Sequence, residues 1–125
     1  MRVSIEGRVE IVAELLAEAY VNHSPGSPTM SRGRDGVAGV VRTMRRAFPD
    51  LKYRIEDLVV SDDAVAARTT LTGTHRGDFY GLPPTGRSFE VEQMTIEHFA
   101  DGKIVAHHRV TDLQALLTQL AAGAR

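Results

Sequence analysis

The spacing of apolar residues divides the first half of the chain into two predicted helices and a loop. Residues 6–21 carry apolar groups at helical spacing and predict one amphipathic helix. Residues 36–47 predict a second helix, with Asp35 as its N-cap and Pro49 just beyond its end. Between them, residues 22–33 hold two prolines and two glycines. We expect a loop there that is long enough to cover a site.

The second half of the chain predicts four β-strands and a final helix. The strands are residues 51–60, 64–75, 87–100 and 103–111. Ser61–Asp63 and Asp101–Gly102 supply the turns of two hairpins. A last apolar pattern predicts a helix from Asp112 to about Ala121. This order of elements indicates an α+β fold in which a curved antiparallel sheet wraps around helices and leaves a conical cavity.

The composition restricts the classes of function. A chain of 125 residues with 42% apolar and 25% charged residues predicts a single globular domain, residues 1–125. The net charge of −1 gives no electrostatic reason to expect nucleic acid or an anionic membrane as a partner. The lack of cysteine excludes disulfides, thiol catalysis and thiolate metal sites. No signal peptide is recognisable and no apolar run approaches the roughly 20 residues that span a bilayer, so a cytoplasmic protein is expected.

Candidate acid/base chemistry lies near the C-terminus. Asp112 stands where the last strand meets the last helix, and His108 lies four residues before it. Side chains alternate along a strand, so both point to the same side. If that side lines the cavity, the carboxylate and the imidazole form an acid/base site. The alternative interpretation of Asp112 is a helix N-cap.

Five motifs stand out along the chain: AFPDL at 47–51, V-A-x-R at 65–68, GTHRGDFYGLPPTGR at 73–87, H-F-x-D-G-K-I at 98–104 and D-x-x-x-L-L-x-Q-L from Asp112. Together they resemble the SnoaL-like polyketide cyclases, also called ester cyclases. The resemblance implies a cone-shaped α+β barrel of the nuclear-transport-factor-two-like superfamily, which is cystatin-like and usually a homodimer. It also implies cofactor-free aldol ring closure of a hydrophobic polyketide-like carbonyl or ester substrate.

The same resemblance assigns roles to residues. Asp112 becomes the acid/base group, and His98, fourteen residues earlier, donates a hydrogen bond to the substrate carbonyl or the developing enolate. Taken alone, a histidine on an apolar strand face such as His98 is more often a hydrogen-bonded core residue than a catalyst. The predicted substrate contacts are His108, Asn22, His23, Met94, Ile96, Phe79 and Tyr80.

Several of these positions have a second interpretation. Asn22 could cap the end of the first helix instead of binding substrate. His107 points away from His108, toward solvent or a dimer partner. The histidines at 98, 107 and 108 could suggest a metal site, but two adjacent strand residues do not share a face, so no metal is expected. The chain departs from many relatives at Ala106 and His108, in the presumed pocket wall, where they read Glu-His-Trp over residues 106–108.

Three functions stay open on this evidence. The first is the cyclase. The second is a hydrolase or isomerase in the same cavity, which a second acidic group beside Asp112 would favour. The third is a non-enzymatic module for small-molecule binding or dimerisation, which a filled cavity, or an Asp112 tied to helix amides without access to solvent, would favour.

Overall fold

The computed structural model describes residues 12–25 and 31–121, and it consists of one curved sheet with helices on one side. The five strands are β1 (Leu16–Asn22), β2 (Lys52–Val60), β3 (Ala64–Thr74), β4 (Ser88–Ala100) and β5 (Lys103–Thr111). The helices are α1 (Val12–Leu15), α2 (Val37–Ala47), which follows a 3₁₀ turn at Arg34–Gly36, and α3 (Leu113–Ala121). None of these described helices is long and apolar enough to cross a membrane.

The strands are arranged in the order β1-β5-β4-β3-β2. β1 pairs parallel to β5, and all other neighbours are antiparallel. The hairpin between β4 and β5 turns at Asp101 and Gly102, whose φ angles are +52° and +77°. Positive φ at both central residues is what a two-residue hairpin turn with the twist of its strands requires. The α+β fold and the four predicted strands are therefore confirmed.

β5 contains one residue that has no pairing partner on β4. Phe99 lies opposite Ile104, but the next residue back, His98, lies opposite Ala106. Val105 is left over, which makes it a β-bulge. The bulge shifts the register by one residue, and beyond it Glu97 lies opposite His107.

The sheet has two distinct faces, which we call inner and outer. The inner face is the one against which α3 packs, because Leu116 and Leu120 share a buried cluster with Phe89 and Val91 of β4. Side chains alternate along a strand, so Glu97, six residues beyond Val91, also lies on the inner face. The even-numbered residues of β4 from 88 to 98 form part of the outer face.

Two apolar clusters cover the ends of the inner face. The larger comprises Ala47, Phe48, Leu51, Leu71, Phe79, Phe89, Val91, Leu116 and Leu120. The smaller comprises Leu16, Tyr20 and Ile104. Helix α2 connects them, because Val37 packs against the smaller cluster and Met44 against the larger.

The prediction of one helix over residues 6–21 is wrong for its described part. Only Val12–Leu15 is helical, and Leu16–Asn22 forms an edge strand beside β5; residues 6–11 lie outside the described residues. The buried positions Leu16, Tyr20 and Asn22 are separated by even numbers of residues. A four-residue spacing suits both a helix face and a strand face, and pairing with β5 selects the strand.

The predicted cap of the second helix is also wrong. Gly36 occupies the N-cap position of α2, and it has no side chain to cap with. The Asp35 carboxylate instead accepts a hydrogen bond of 2.7 Å from the Ser31 hydroxyl. Asp35 therefore belongs to the 3₁₀ turn Arg34–Gly36 that precedes α2. The predicted lid is only partly visible, because residues 26–30 lie outside the described residues.

Candidate functional site

The inner face carries an acid–base pair on β4 and β5. Glu97 and His107 are cross-strand neighbours, and Oε1 of Glu97 is hydrogen-bonded to Nδ1 of His107. Their side chains are only 13% and 15% exposed. Partial exclusion of water strengthens such a hydrogen bond. A carboxylate bonded to an imidazole is an arrangement that can move a proton at a substrate atom.

Arg109 is the next inward residue of β5 and completes a chain of polar contacts. Its Nη1 lies 3.3 Å from Nε2 of His107. Its Nη2 donates a hydrogen bond of 2.7 Å to the Ser24 carbonyl oxygen, and its backbone N–H donates one of 2.8 Å to the Ser24 hydroxyl. Because Ser24 follows β1, three adjacent strands contribute to the site.

Tyr20 places a phenol beside this pair. It lies on β1 and is 6% exposed. Burial raises the pKa of Tyr20 well above its ordinary value of 10.0, and the nearby Glu97 carboxylate raises it further, while Arg109 opposes the rise. The phenol therefore keeps its proton at neutral pH and can act as a hydrogen-bond donor.

The polar half of the inner face contrasts with an apolar half. On the polar half, Thr111 of β5 donates a hydrogen bond of 2.9 Å to Gln93 of β4. On β2 the inward positions are Ile55, Leu58 and Val60, which pair with buried inner positions of β3. These three side chains are 43%, 37% and 61% exposed. The inner face thus carries apolar side chains on β2, which β3 separates from the acid–base pair on β4 and β5.

Asp112 caps the last helix. Its carboxylate accepts a hydrogen bond of 3.0 Å from the Ala115 backbone N–H, and its own N–H donates to the Glu92 carbonyl. The residue is exposed at the end of β5. The alternative interpretation as an N-cap is therefore what the geometry shows, and the carboxylate still has access to solvent. Its catalytic role stays a prediction.

Three of the predicted site histidines meet on the outer face. His98 lies opposite Ala106, and His108 lies opposite Ile96. The ring centroids of His98 and His108 are 5.9 Å apart, and the His23 ring stacks on His108 with centroids 4.6 Å apart. His108 thus shares the outer face with His98, and its role as a substrate contact stays a prediction. Over residues 12–25 and 31–121, no three His, Asp or Glu side chains are grouped to hold a metal ion.

The remaining predicted contacts do not form one group: Asn22 is the cross-strand neighbour of His107, whereas Phe79 and Tyr80 lie at the larger cluster. Asn22 accepts a hydrogen bond of 2.8 Å from the Ser24 N–H, and the element it ends is a strand instead of a helix. Phe79 is buried in the larger cluster, with its ring centroid 5.1 Å from that of Phe48. Tyr80 packs edge-on against Phe79 and is 56% exposed. None of these three side chains contacts the Glu97–His107 pair through a described hydrogen bond or ring contact.

The prediction missed Glu97 and the inward direction of His107 for one reason. Met94 and Ile96 make the even-numbered side of β4 look apolar, and the apolar side of a strand ordinarily faces the core. In the structure both lie on the outer face, 58% and 43% exposed. Phe89 could have revealed this. It is an even number of residues from Glu97, so both lie on the same face of β4, and it is buried near the start of the strand.

Comparison with known proteins now identifies the family. The SnoaL-like polyketide cyclase family model matches residues 2–120. The chain belongs to the SnoaL-like polyketide cyclase family. The aklanonic acid methyl ester cyclase AcmA of Streptomyces galilaeus is 34% identical over 116 residues, which cover 91% of this chain and 80% of AcmA. The nogalonic acid methyl ester cyclase of Streptomyces nogalater is 32% identical over 116 residues, 91% of this chain and 86% of that protein.

Solved structures agree with this family assignment. TsrD from Streptomyces laurentii superposes with a TM-score of 0.83 at 32% identity, covering 94% of this chain and 85% of TsrD. The predicted family and its nuclear-transport-factor-two-like fold are therefore confirmed.

Proposed function

We propose that this SnoaL-like protein is an ester cyclase, which closes a ring on a polyketide methyl ester by intramolecular aldol chemistry. The observation that carries the proposal is the Glu97–His107 pair on the inner face. The relatives AcmA and the nogalonic acid methyl ester cyclase support the substrate class, because their names specify methyl esters. No metal and no organic cofactor is required by this chemistry.

The reaction needs one proton acceptor and one proton donor. The Glu97–His107 pair removes a proton from the carbon beside the ester carbonyl, which leaves an enolate. The enolate carbon attacks a ketone carbon of the same molecule, a C–C bond forms, and the ketone oxygen takes up a proton. The product has the same atoms as the substrate, so the reaction consumes no oxidant, reductant or second substrate.

Two neighbouring donors stabilise the charge that develops on oxygen. The Tyr20 phenol is protonated at neutral pH, and burial and the nearby Glu97 raise its pKa further above the ordinary 10.0. The Arg109 guanidinium holds a fixed positive charge beside His107. Donors that are held in place before the reaction stabilise an enolate or alkoxide most effectively when water is excluded.

The apolar half of the inner face binds the rest of the substrate. Ile55, Leu58 and Val60 provide a wall for a fused aromatic ring system, while the ester end lies at the polar half. Holding the two reacting carbons together on such a surface supplies a large part of a cyclisation rate. An amphipathic substrate fits this division better than a uniformly polar one does.

The family resemblance supports a competing assignment of the acid/base group. In that proposal Asp112 removes the proton and His98 binds the carbonyl oxygen. Asp112 is exposed and can reach solvent, but its carboxylate is engaged with the Ala115 amide. His98 points to the outer face of β4. The geometry therefore favours Glu97 and His107 over Asp112 and His98.

Paired carboxylate variants separate the two assignments. Ring closure of aklanonic acid methyl ester is followed by chromatography for Glu97→Gln, Asp112→Asn and Glu92→Gln. We expect Glu97→Gln to lower kcat by about 10²–10⁴-fold, the usual contribution of a general base. Glu92 is the matched control, because it lies on the same strand but on the outer face, paired with Arg68. Loss of turnover in Asp112→Asn alone would transfer the role to Asp112.

The products and the metal dependence test the reaction class. A free acid in place of the ring-closed ester would support the hydrolase alternative. Turnover is expected to persist after treatment with a chelator, and a loss that added metal restores would overturn the cofactor-free proposal. Ligand binding without any turnover of either methyl ester would support the non-enzymatic alternative.

We further propose that the outer face forms a homodimer interface. Its exposed apolar side chains include Val59, Met94, Ile96 and Val110, which are 68%, 58%, 43% and 75% exposed. Met94 and Val110 are cross-strand neighbours, so the patch is continuous across β4 and β5. Sedimentation should show a dimer that Val110→Glu dissociates, and a monomeric native protein would contradict this. The cytoplasmic location and the lack of nucleic-acid or membrane partners stay predictions from composition.

A further inference from the structure

The loop between β3 and β4 is held by a histidine that the proposed site does not use. His75 directly follows β3 and is fully buried, and residues 76–86, which we call the motif loop, separate it from β4. We propose that His75 is a pH-sensitive latch: its neutral ring holds the motif loop in place at the end of α2, and protonation of the ring releases the loop. The latch does not depend on which carboxylate acts in ring closure.

Backbone hydrogen bonds bring the far end of the motif loop back to His75. The His75 N–H donates to the Arg87 carbonyl oxygen at 2.8 Å, and the Gly86 N–H donates to the His75 carbonyl oxygen at 2.8 Å. His75 is therefore the position at which the loop begins and the position to which it returns.

The near end of the motif loop is attached to α2. The N–H groups of Arg76 and Gly77 both donate to the Ala47 carbonyl oxygen, at 2.9 and 3.2 Å. A Cβ atom on Gly77 would lie 2.3 Å from the Arg46 carbonyl oxygen, so only glycine allows the loop to approach the helix this closely.

The His75 side chain closes the loop through Thr85. Its Nδ1 lies 3.2 Å from the Thr85 backbone nitrogen and 3.1 Å from the Thr85 hydroxyl oxygen. A backbone N–H can only donate, so Nδ1 is the accepting nitrogen and a neutral ring carries its proton on Nε2. Nε2 has no hydrogen-bond partner among the described residues, and the ring packs against Phe48 with centroids 5.7 Å apart.

A second proton on the ring is incompatible with these contacts. A protonated Nδ1 would place its N–H against the Thr85 N–H, so two donors would face each other. The added charge would also be buried, and an unpaired buried charge is costly. Opening of the motif loop relieves both problems, because the charged ring then reaches water.

In the described part of the chain, no carboxylate compensates for that charge. The charged residues on the elements around His75 are Arg46, Asp50, Arg76, Asp78 and Arg87. The Asp50 carboxylate accepts from the hydroxyl and the N–H of Thr74, and the Asp78 carboxylate accepts from the Gly81 N–H at 3.0 Å. Neither is hydrogen-bonded to the His75 ring, whose contacts are those with Thr85 and Phe48.

Release of the motif loop would unpack one edge of the core. Phe79 belongs to the loop, is 7% exposed and packs against Phe48 with ring centroids 5.1 Å apart. An imidazole in water gains a proton near pH 6.5, so one proton bound only in the open form raises the opening equilibrium about tenfold between pH 7.5 and 5.5. Acidification therefore loosens this end of the larger cluster before the rest of the fold.

The test is amide hydrogen exchange of the full-length protein at pH 7.5 and 5.5, followed by NMR and corrected for the intrinsic effect of pH on exchange. We expect exchange of the Gly77 and Gly86 amides to rise about tenfold on acidification. The Phe99 amide donates to the Asp63 carbonyl oxygen at the opposite end of the sheet and serves as the internal control. Its corrected exchange should not change.

Two histidine variants test the origin of the effect. In His75→Asn the side-chain oxygen can take the place of Nδ1 and accept from Thr85, but it does not titrate. The rise at Gly77 and Gly86 should therefore disappear in this variant. His108→Asn is the matched control, because it removes an exposed histidine far along the sequence from the loop, and it should keep the rise.

The native protein alone can overturn the latch, even if His75→Asn does not fold. Equal corrected exchange of Gly77 and Gly86 at the two pH values would do so. An equal rise at Phe99 would also do so, because it would assign the effect of acid to the whole fold. In a folded His75→Asn, a rise as large as in the native protein would show that another group is titrating.

Discussion

Along β4 the ordinary distribution of side chains is reversed: polar residues lie on the inner face and apolar residues on the outer face. Between Gln93 and Glu97 the inner side chains are polar and partly buried. On the outer face, Met94 and Ile96 are apolar and exposed. A polar group is buried at a cost unless it is hydrogen-bonded, and an exposed apolar patch is uncommon on a monomer unless something binds it. These two departures are the reason why we propose a substrate site on the inner face and a homodimer interface on the outer face.

The two faces also differ in how their polar groups are satisfied. The inner polar groups are paired with one another across strands: Gln93 with Thr111, and Glu97 with His107. On the outer face, Arg68 bridges Asp57 and Glu92 with side chains that are 37%, 66% and 62% exposed. Ion pairs as exposed as these contribute little to stability because water and salt screen them. The inner pairs are the ones whose loss should change chemistry.

The largest expected effect comes from substituting the two adjacent histidines of β5, which tests whether the inner or the outer face carries the chemistry. His107→Asn should lower kcat for the methyl ester by about 10²–10⁴-fold, because it removes one member of the acid–base pair. His108 points to the outer face beside Ile96, so His108→Asn should cost much less. Steady-state kinetics on both variants measures the difference. A larger loss for His108→Asn would show that the outer face carries the chemistry.

A second prediction concerns the packing that closes the inner face. Leu120 is fully buried in the larger cluster, whereas Leu117 on the same helix is 43% exposed. Leu120→Ala should lower the free energy of unfolding by about 2–5 kcal/mol, the range for a truncated core leucine. Leu117→Ala should cost clearly less. Urea denaturation of both variants checks this, and equal losses would mean that α3 does not pack as described.

Asp112 stands at the boundary between the faces, and its two roles can be separated. Asp112→Ala should lower stability by about 1 kcal/mol, since it removes the N-cap of α3. Asp112→Asn should be close to the native protein in stability, because asparagine caps helices well. Thermal unfolding measures both. If Asp112→Asn keeps its stability but loses turnover, the carboxylate acts in catalysis as the resemblance implies.

The smallest expected effect is a pH dependence at the end of β3. The Thr74 hydroxyl and backbone N–H both donate to Asp50 and hold the pKa of its carboxyl below the ordinary 3.8. Its contribution to stability is therefore complete above the unfolded-state pKa and is lost as the pH falls through the lower folded-state pKa. Asp50→Asn should destabilise the protein slightly at pH 7. The deficit should shrink on acidification, and a deficit that grew instead would contradict this contact.

Much of the fold follows from the sequence because turns and alternation are local properties. Asp101–Gly102 specifies a hairpin wherever it stands between two extended segments, and β2 to β5 were predicted to within one residue at each end. β1 was not predicted, because Leu16 and Tyr20 satisfy helical and extended spacing equally. Only the neighbouring strand β5, which is distant in sequence, decides between them.

The candidate site was harder to predict because face assignment is a property of the whole sheet. Alternation shows that His107 and His108 point in opposite directions but not which direction is inward. The same uncertainty affects the departures from the family at Ala106 and His108. Both residues lie on the outer face. They therefore change the outer surface of the sheet, and the change in the pocket wall stays a prediction.

The bulge at Val105 has a consequence for folding. If β4 and β5 paired without it, continuing from Phe99 opposite Ile104, Glu97 would lie opposite Ala106, and His107 would lie opposite Ile96. Such a slip by one residue turns every later side chain of β5 to the other face. The same hairpin could therefore close in two registers, one of which assembles the acid–base pair and one of which does not. A preparation containing both would look folded by its secondary structure, yet only part of it could turn over substrate.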